Sequence, residues 1–341
     1  MKKLNFFLYL LVILSVCACH HKNQITSYDK IGSSGLTTRT EFLRANLKMM
    51  SANGIMIGHE NSTVEGIGWR GDSAQSDIKS CCDDYPAVLS FELSGIEQDT
   101  TLNSDSISFS LIRRAILDQF KRGGINMLTW SVPLAMDNLM EEFTKRAATY
   151  LNSLQDPYGI KAPILLVLNI TSRDPKVYQN YWQKVITSLK KQGINNVLYV
   201  FSGDIKCYPG DKDVDIIEAS YIQSTSDSRI SDYNIFMENK LKETSDFAEA
   251  HQKVIGVRTG LSGIPSKDFW TETLLPLFKP YRITYVVLGK NKGDRTQDNY
   301  CAPFPGEHSI ANFVKFYNDK KTLFMSDING LYLDHTEKSY Q

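Results

Sequence analysis

Four carboxylates, Glu60, Glu92, Asp204 and Glu218, stand where apolar runs of this chain give way to loops. Two carboxyl groups held at a suitable separation can divide general acid from base or nucleophile between them. The same residues can instead salt-bridge or cap neighbouring helices, because strand-end carboxylates are common in repeated βα folds. Cys81, Cys82, Cys207 and Cys301 form no CxxC pair and no Cys/His spacing of a zinc site, and the adjacent Cys81-Cys82 would chelate poorly on one face. The sequence therefore implies no metal and no cofactor. One disulfide among these cysteines and a set of buried thiols both fit the pattern.

The elements that must position these groups alternate in type. Short apolar runs expected as strands span residues 54–58, 87–93, 126–131, 164–169, 196–202, 214–220, 253–258 and 283–288. Helical periodicity fills the gaps: Ile112, Ile116 and Phe120 share one face of residues 109–121. Tyr181, Val185, Ile186 and Leu189 share one face of residues 177–192, with Gly193 as the expected stop. Eight strands with intervening helices predict an α/β fold, a single (β/α)8 TIM barrel. An open doubly wound sheet fits less well, since Gly58-His59-Glu60-Asn61 lacks the glycines of a phosphate loop. In such a barrel chemistry sits just past the C-terminal strand ends. That places His59-Glu60, Glu92, Trp130-Ser131, Asn169-Ile170-Thr171, Gly203-Asp204, Glu218 with Tyr221, Arg258-Thr259 and Gly289-Lys290-Asn291 around one mouth.

Lys+Arg and Asp+Glu balance at 38 each, with no basic block, which argues against nucleic acid as a partner and permits a neutral polymer. The chain opens with MKK and the apolar run LNFFLYLLVILSV, short for a membrane span, followed by Val16-Cys17-Ala18-Cys19. A cysteine after a small residue at the end of such a run predicts a lipoprotein signal peptide over residues 1–18, lipidation of Cys19, and a polar tether over 19–35. Cys17 is a poorer site, and an ordinary secretory signal is the alternative. Residues 36–341 then form one barrel domain, expected as a monomer that meets a membrane only through its anchor, on the outer membrane of an exporting bacterium.

Three segments carry a resemblance: GHENSTVEGIGW at residues 58–69, DYPAVLSFELSGIE at 84–97, and YCAPFPGEHSIANFVKFYNDKKTLFMSD at 300–327. Together they resemble glycoside hydrolase family 26, the β-mannanase family, over nearly the whole mature chain. The resemblance implies a β-mannan-type polysaccharide as partner. It also implies glycan contacts at His59, Trp69, Trp130 and Tyr221, although Tyr221 lies a residue away from the family's active-site tyrosine. In that family the acid/base glutamate follows strand four in a His-Glu pair, and the nucleophile glutamate follows strand seven in Thr-Glu.

Here the strand-four positions fall on Ile170 and Thr171, with the tryptophan-rich loop deleted at Asp174-Pro175. The nucleophile position falls on Thr259. A threonine hydroxyl is too weak an acid to protonate a leaving oxygen at neutral pH and carries no charge to support a cationic centre. At strand eight the family's Trp-Arg-Asn becomes Gly289-Lys290-Asn291, and Trp130-Ser131 replaces its Trp-His. The expectation is therefore a divergent member without catalytic residues, a pseudoenzyme that binds polysaccharide. An active endo-β-mannanase or related hydrolase using a relocated pair from Glu60, Glu92, Asp204 and Glu218 is one alternative. A protein-interaction scaffold, its cleft filled by Arg173, Arg258 and Lys290, is another.

Overall fold

The computed structural model describes residues 30–71, 74–134, 137–223, 230–294 and 299–335. The expected signal peptide and Cys19 lie outside these residues. From residue 30 the chain is already folded back on itself, Ile31 bridging Thr37 and the Gly32 amide donating to the Leu36 carbonyl at 2.8 Å.

Eight parallel strands close into a TIM barrel, as the alternation of elements predicts. They are β1 (Ile55–Glu60), β2 (Val88–Glu92), β3 (Ile125–Val132), β4 (Ile164–Ile170), β5 (Val197–Phe201), β6 (Ile216–Gln223), β7 (Val254–Leu261) and β8 (Ile283–Leu288). Each pairs with the next, and β1 closes the ring on β8, Gly58 lying beside both Val88 and Val287. A Cβ at Gly58 would stand 2.8 Å from the Val88 side chain, so this strand passes where only glycine fits.

Strand side chains alternate between two environments. Met56, Val88, Met127, Leu165, Leu198, Ile216, Tyr285 and Val287 fill the barrel interior. Ile57, Leu89, Leu128, Leu166, Tyr199, Ile217, Val257 and Val286 pack outward against the helices. At the N-terminal end of the strands, helix Thr38–Asn53 inserts Leu43 and Leu47 into the interior cluster with Leu331 and Tyr332. Asn46 of that helix ties the C-terminal segment beneath the barrel by donating to the carbonyls of Leu331 at 2.9 Å and Leu333 at 3.0 Å. This end is closed.

The helices follow their sequence signals. Phe109–Arg122 is capped by Ser108 and stopped by Gly123 at φ 89°. Helix Pro175–Lys191 starts two residues before its apolar stripe because Asp174 caps it, accepting from the Lys176 and Val177 amides, with Pro175 in the first turn. Two strands differ usefully from expectation. Strands β6 and β7 run three residues further toward the mouth than residues 214–220 and 253–258, paired up to Gln223 and Leu261. Tyr221, Thr259 and Gly260 therefore belong to strands, and alternation decides which way they face. All four cysteines among the described residues are free thiols.

Candidate functional site

At the mouth the inward positions turn polar. Glu60 of β1, Ser90 and Glu92 of β2, Thr129 of β3, Glu218 of β6 and Arg258 of β7 share the interior face with the apolar residues below them. Arg258 is the hub. Its Nε lies 3.3 Å from Glu218 Oε1, one Nη ion-pairs with Glu60, and the other donates to Thr129 Oγ1 at 3.1 Å. Ser90 Oγ accepts from both Nη atoms at 3.3 Å. Glu218 is fully buried and also accepts from Tyr285 Oη at 3.0 Å. Burial alone would lower the Arg258 pKa, but Glu218 and Glu60 hold it above the ordinary guanidinium value. Burial and the same Glu218 push the Tyr285 phenol well up. A cation so buried and so paired stays charged.

A second pair sits at the rim. Lys290, just after β8, ion-pairs with Asp105, which also accepts from Asn61 Nδ2 at 3.1 Å. Burial would raise the Asp105 carboxyl, yet the Lys290 ammonium bonded to it keeps it below its usual range. Lys290 moves up in return, its burial outweighed by Asp105. Glu92 faces the same space, its pKa raised by burial although it accepts from the Ser94 amide at 2.9 Å and hydroxyl at 2.5 Å. The cavity enclosed by Glu60, Asn61, Ser90, Glu92, Asp105, Thr129 and Lys290 measures about 40 Å³. That is room for a few waters at ~10–15 Å³ each, and not for a sugar ring.

The residues singled out by sequence distribute unevenly. Glu60, Glu92 and Glu218 converge on this mouth. Asp204 does not: it is exposed and caps the short turn Ile205–Cys207, accepting from the Lys206 amide at 3.0 Å. Thr171 is exposed immediately after β4. Thr259 is fully buried and faces away from the mouth, its Oγ1 bonded at 2.7 Å to Tyr233 Oη of helix Ile230–Ala250. The inward neighbours of Thr259 are Arg258 and Gly260. A Cβ at Gly260 would stand 2.7 Å from Cys301 Sγ, and one at Gly289 would stand 3.0 Å from it. The Cys301 thiol, pushed up to about 12 by burial, fills the space that side chains at both positions would take.

Of the expected glycan contacts, His59 and Trp130 are buried behind the strands, whereas Trp69 and Tyr221 are half-buried. His59 alternates outward from β1 and is completely buried; burial pushes its imidazole down to about 4 against the pull of Asp77 and Glu60. Trp130 likewise faces the helices, fully buried, its Nε1 donating to Glu97 at 3.3 Å. Both side chains lie on the outer face of the strands, not in the mouth. Trp69 is half-buried and anchored, Nε1 to Asp77 Oδ1 at 2.7 Å, while Asp77 Oδ2 accepts from the Ile67 amide and Asn291. Tyr221 is half-buried and stacks on Phe236, ring centroids 4.8 Å apart and planes 12° apart; Phe236 is 60% exposed.

Sequence reasoning missed Ser90, Asp105, Thr129, Phe236 and the filling role of Cys301. Strand parity could have flagged Ser90 and Thr129, which lie two residues from Glu92 and Ser131; no local signal marks Asp105 or Cys301. Among the described residues no three His, Cys, Asp or Glu side chains converge to hold a metal ion.

No family model matches the chain. Its structure is similar to that of a GH26 β-mannanase from Bacteroides ovatus, with 32% identity and a TM-score of 0.80 over 88% of this chain and 98% of that one. It is also similar to GH26C from Muricauda sp., at 22% identity and TM-score 0.74, covering 87% and 94% of the two chains. The catalytic domain of a Bacillus sp. GH26 endo-β-1,4-mannanase matches at 19% identity and TM-score 0.75, covering 90% and 96%. At the last two identities the likeness is one of fold.

Proposed function

The chain belongs to glycoside hydrolase family 26, and from that premise we propose that it engages β-mannan-type polysaccharide without hydrolysing it. The observation that carries this reading is Arg258. Hydrolysis by paired carboxylates needs one group free to give a proton and another free to meet the developing cation. A buried guanidinium between Glu60 and Glu218 occupies both carboxylates, and a cation at that place opposes an oxocarbenium-like centre. The cavity of about 40 Å³ above it, the glycine at 260 and the exposed Thr171 point the same way. We place the family's two glutamate positions at Thr171 and at the Thr259–Gly260 step, with no carboxylate at either.

Glycan contact then falls to the rim, where Trp69 and the Tyr221–Phe236 stack offer aromatic faces beside polar groups. Lipidation at Cys19 and outer-membrane anchoring complete the proposal, giving a monomeric receptor held at a membrane by its acyl chains.

One observation favours a second reading, hydrolysis by a relocated pair. Glu92 is held up and Asp105 held down in pKa while both line one cavity, the separation expected of an acid and a base. Calorimetric titration with galactomannan and mannohexaose, with reducing ends assayed on the same samples, separates the two. Binding without release supports the receptor. Release abolished by Glu92→Gln or Asp105→Asn establishes the relocated pair, and absence of both signals rejects a mannan ligand.

A further inference from the structure

Two neighbouring cavities of about 250 and 420 Å³ lie at the closed end of the barrel, away from the mouth, and share Lys48, Gln252, Lys253 and Val254. Their charged lining holds five cations against three carboxylates. Arg44, Lys48, Lys212 and Lys253 surround the first, and Arg282 joins Lys48 and Lys253 around the second, against the carboxylates of Asp211, Asp215 and Glu249. Two of those carboxylates are already engaged from within. Asp215 accepts from the Tyr199 amide at 2.8 Å and lies 3.9 Å from Arg44, while Asp211 accepts from Tyr208 Oη at 2.9 Å and pairs with His251 at 2.8 Å. Lys253 is fixed between the cavities by donating to the Asp211 carbonyl at 2.6 Å, which leaves two further ammonium donors. Lys48, Lys212 and Arg282 are exposed and have no carboxylate within ion-pair distance among the described residues.

A chain with balanced charge has thus gathered five cations around these adjoining cavities, of which Lys48, Lys212 and Arg282 have no ion-pair partner among the described residues. We propose that this recess binds a phosphate group, carried by a small solute or by a membrane lipid headgroup. Arg282 supplies a planar fork for two oxygens, and Lys48 and Lys253 supply point charges from the sides, the division of labour by which guanidinium and ammonium groups hold phosphate. The recess also borders the first helix of the described residues. Helix Thr38–Asn53 carries Arg44 and Lys48, and the Thr37 amide donates to the Asn195 carbonyl at 2.8 Å, just before β5 begins. Resting on the proposed anchoring through Cys19, a headgroup-bound recess would set the closed end against the bilayer and turn the mouth outward.

The test uses the full chain in non-ionic detergent, titrated calorimetrically with inorganic phosphate, and then floated with vesicles of phosphatidylcholine alone or mixed with phosphatidylglycerol. The leader and its lysines are common to the parent and the variants, so the part of the anionic excess that a recess variant loses reads the recess. Phosphate binding weakened about tenfold or more in Lys48→Glu/Arg282→Glu supports the site, a loss of 1.4 kcal/mol or more by the affinity relation. An anionic excess lost in that variant and in high salt assigns the lipid source. Phosphate binding without an anionic excess assigns a soluble phosphate compound. No phosphate binding and no anionic excess, or both unchanged in the variant, overturns the proposal. Lys48→Gln/Arg282→Gln, at exposed positions, guards against a folding artefact. Mannan titration of the same proteins reads the mouth independently.

Discussion

At the closed end of the barrel the inward positions carry Met56, Met127, Leu165 and Ile216, sealed by Leu43 and Leu47. A few residues along the same strands, the same face carries Glu60, Thr129, Glu218 and Arg258. The lower layer is held by apolar burial, which is non-directional and tolerant of shape. The upper layer is held by one guanidinium whose partners are fixed in geometry and would be left charged and unpaired without it. The difference separates a packed floor that keeps the barrel closed from an ionic plug that fills its mouth.

Removing the hub should break this contrast hardest. Arg258→Ala leaves Glu60 and Glu218 uncompensated and should destabilise the protein by about 3–5 kcal/mol in urea unfolding. Adding Glu60→Gln and Glu218→Gln should recover much of that loss; a variant as stable as the parent would show that the plug does not hold the mouth. On the floor, Leu47→Ala should lose about 2.7–5 kcal/mol, the range for buried leucines, with no change in glycan titration.

The pH response sharpens the contrast further, because His59 is buried on the outer face of β1 next to Glu60 of the plug. Its folded pKa of about 4 lies below the unfolded value of 6.5, so the unfolded chain binds the extra proton between those values. The stability contributed by neutral His59 is complete above pH 6.5 and is lost as pH falls toward 4, by no more than roughly 3 kcal/mol. Glu92 acts with the opposite sign, its raised carboxyl favouring the fold at low pH, so the His59 share is the difference between the protein and His59→Gln across that window. The smallest effect is expected at the rim. Lys290 is 38% exposed, and Lys290→Ala should cost about 0–1 kcal/mol while letting the Asp105 carboxyl titrate at higher pH, as side-chain NMR would record.

Much of the architecture was legible before any coordinates. The apolar runs recur at strand length, and caps such as Ser108 and Asp174 announce their helices, because these signals act over a few neighbouring residues. The convergence of Glu60, Glu92 and Glu218 was also legible, since every barrel strand delivers its end to one mouth. The side that each residue presents was not. His59, Trp130 and Thr259 lie at strand ends, as their sequence positions imply, but one step of parity puts them behind the wall, and only the pairing of β6 with β7 sets that parity for Thr259. Asp105 and Cys301 reach the site from loops whose course depends on what they pack against.

The sequence by itself determined the eightfold alternation, the family resemblance and the absence of glutamate at residues 171 and 259, since each of these is a local pattern or an identity. Tertiary structure alone decided that Arg258 sits between Glu60 and Glu218, which are 198 and 40 residues away along the chain, and that Cys301 fills the space above two glycines. Contacts of that span follow from barrel closure, which no window of the sequence contains.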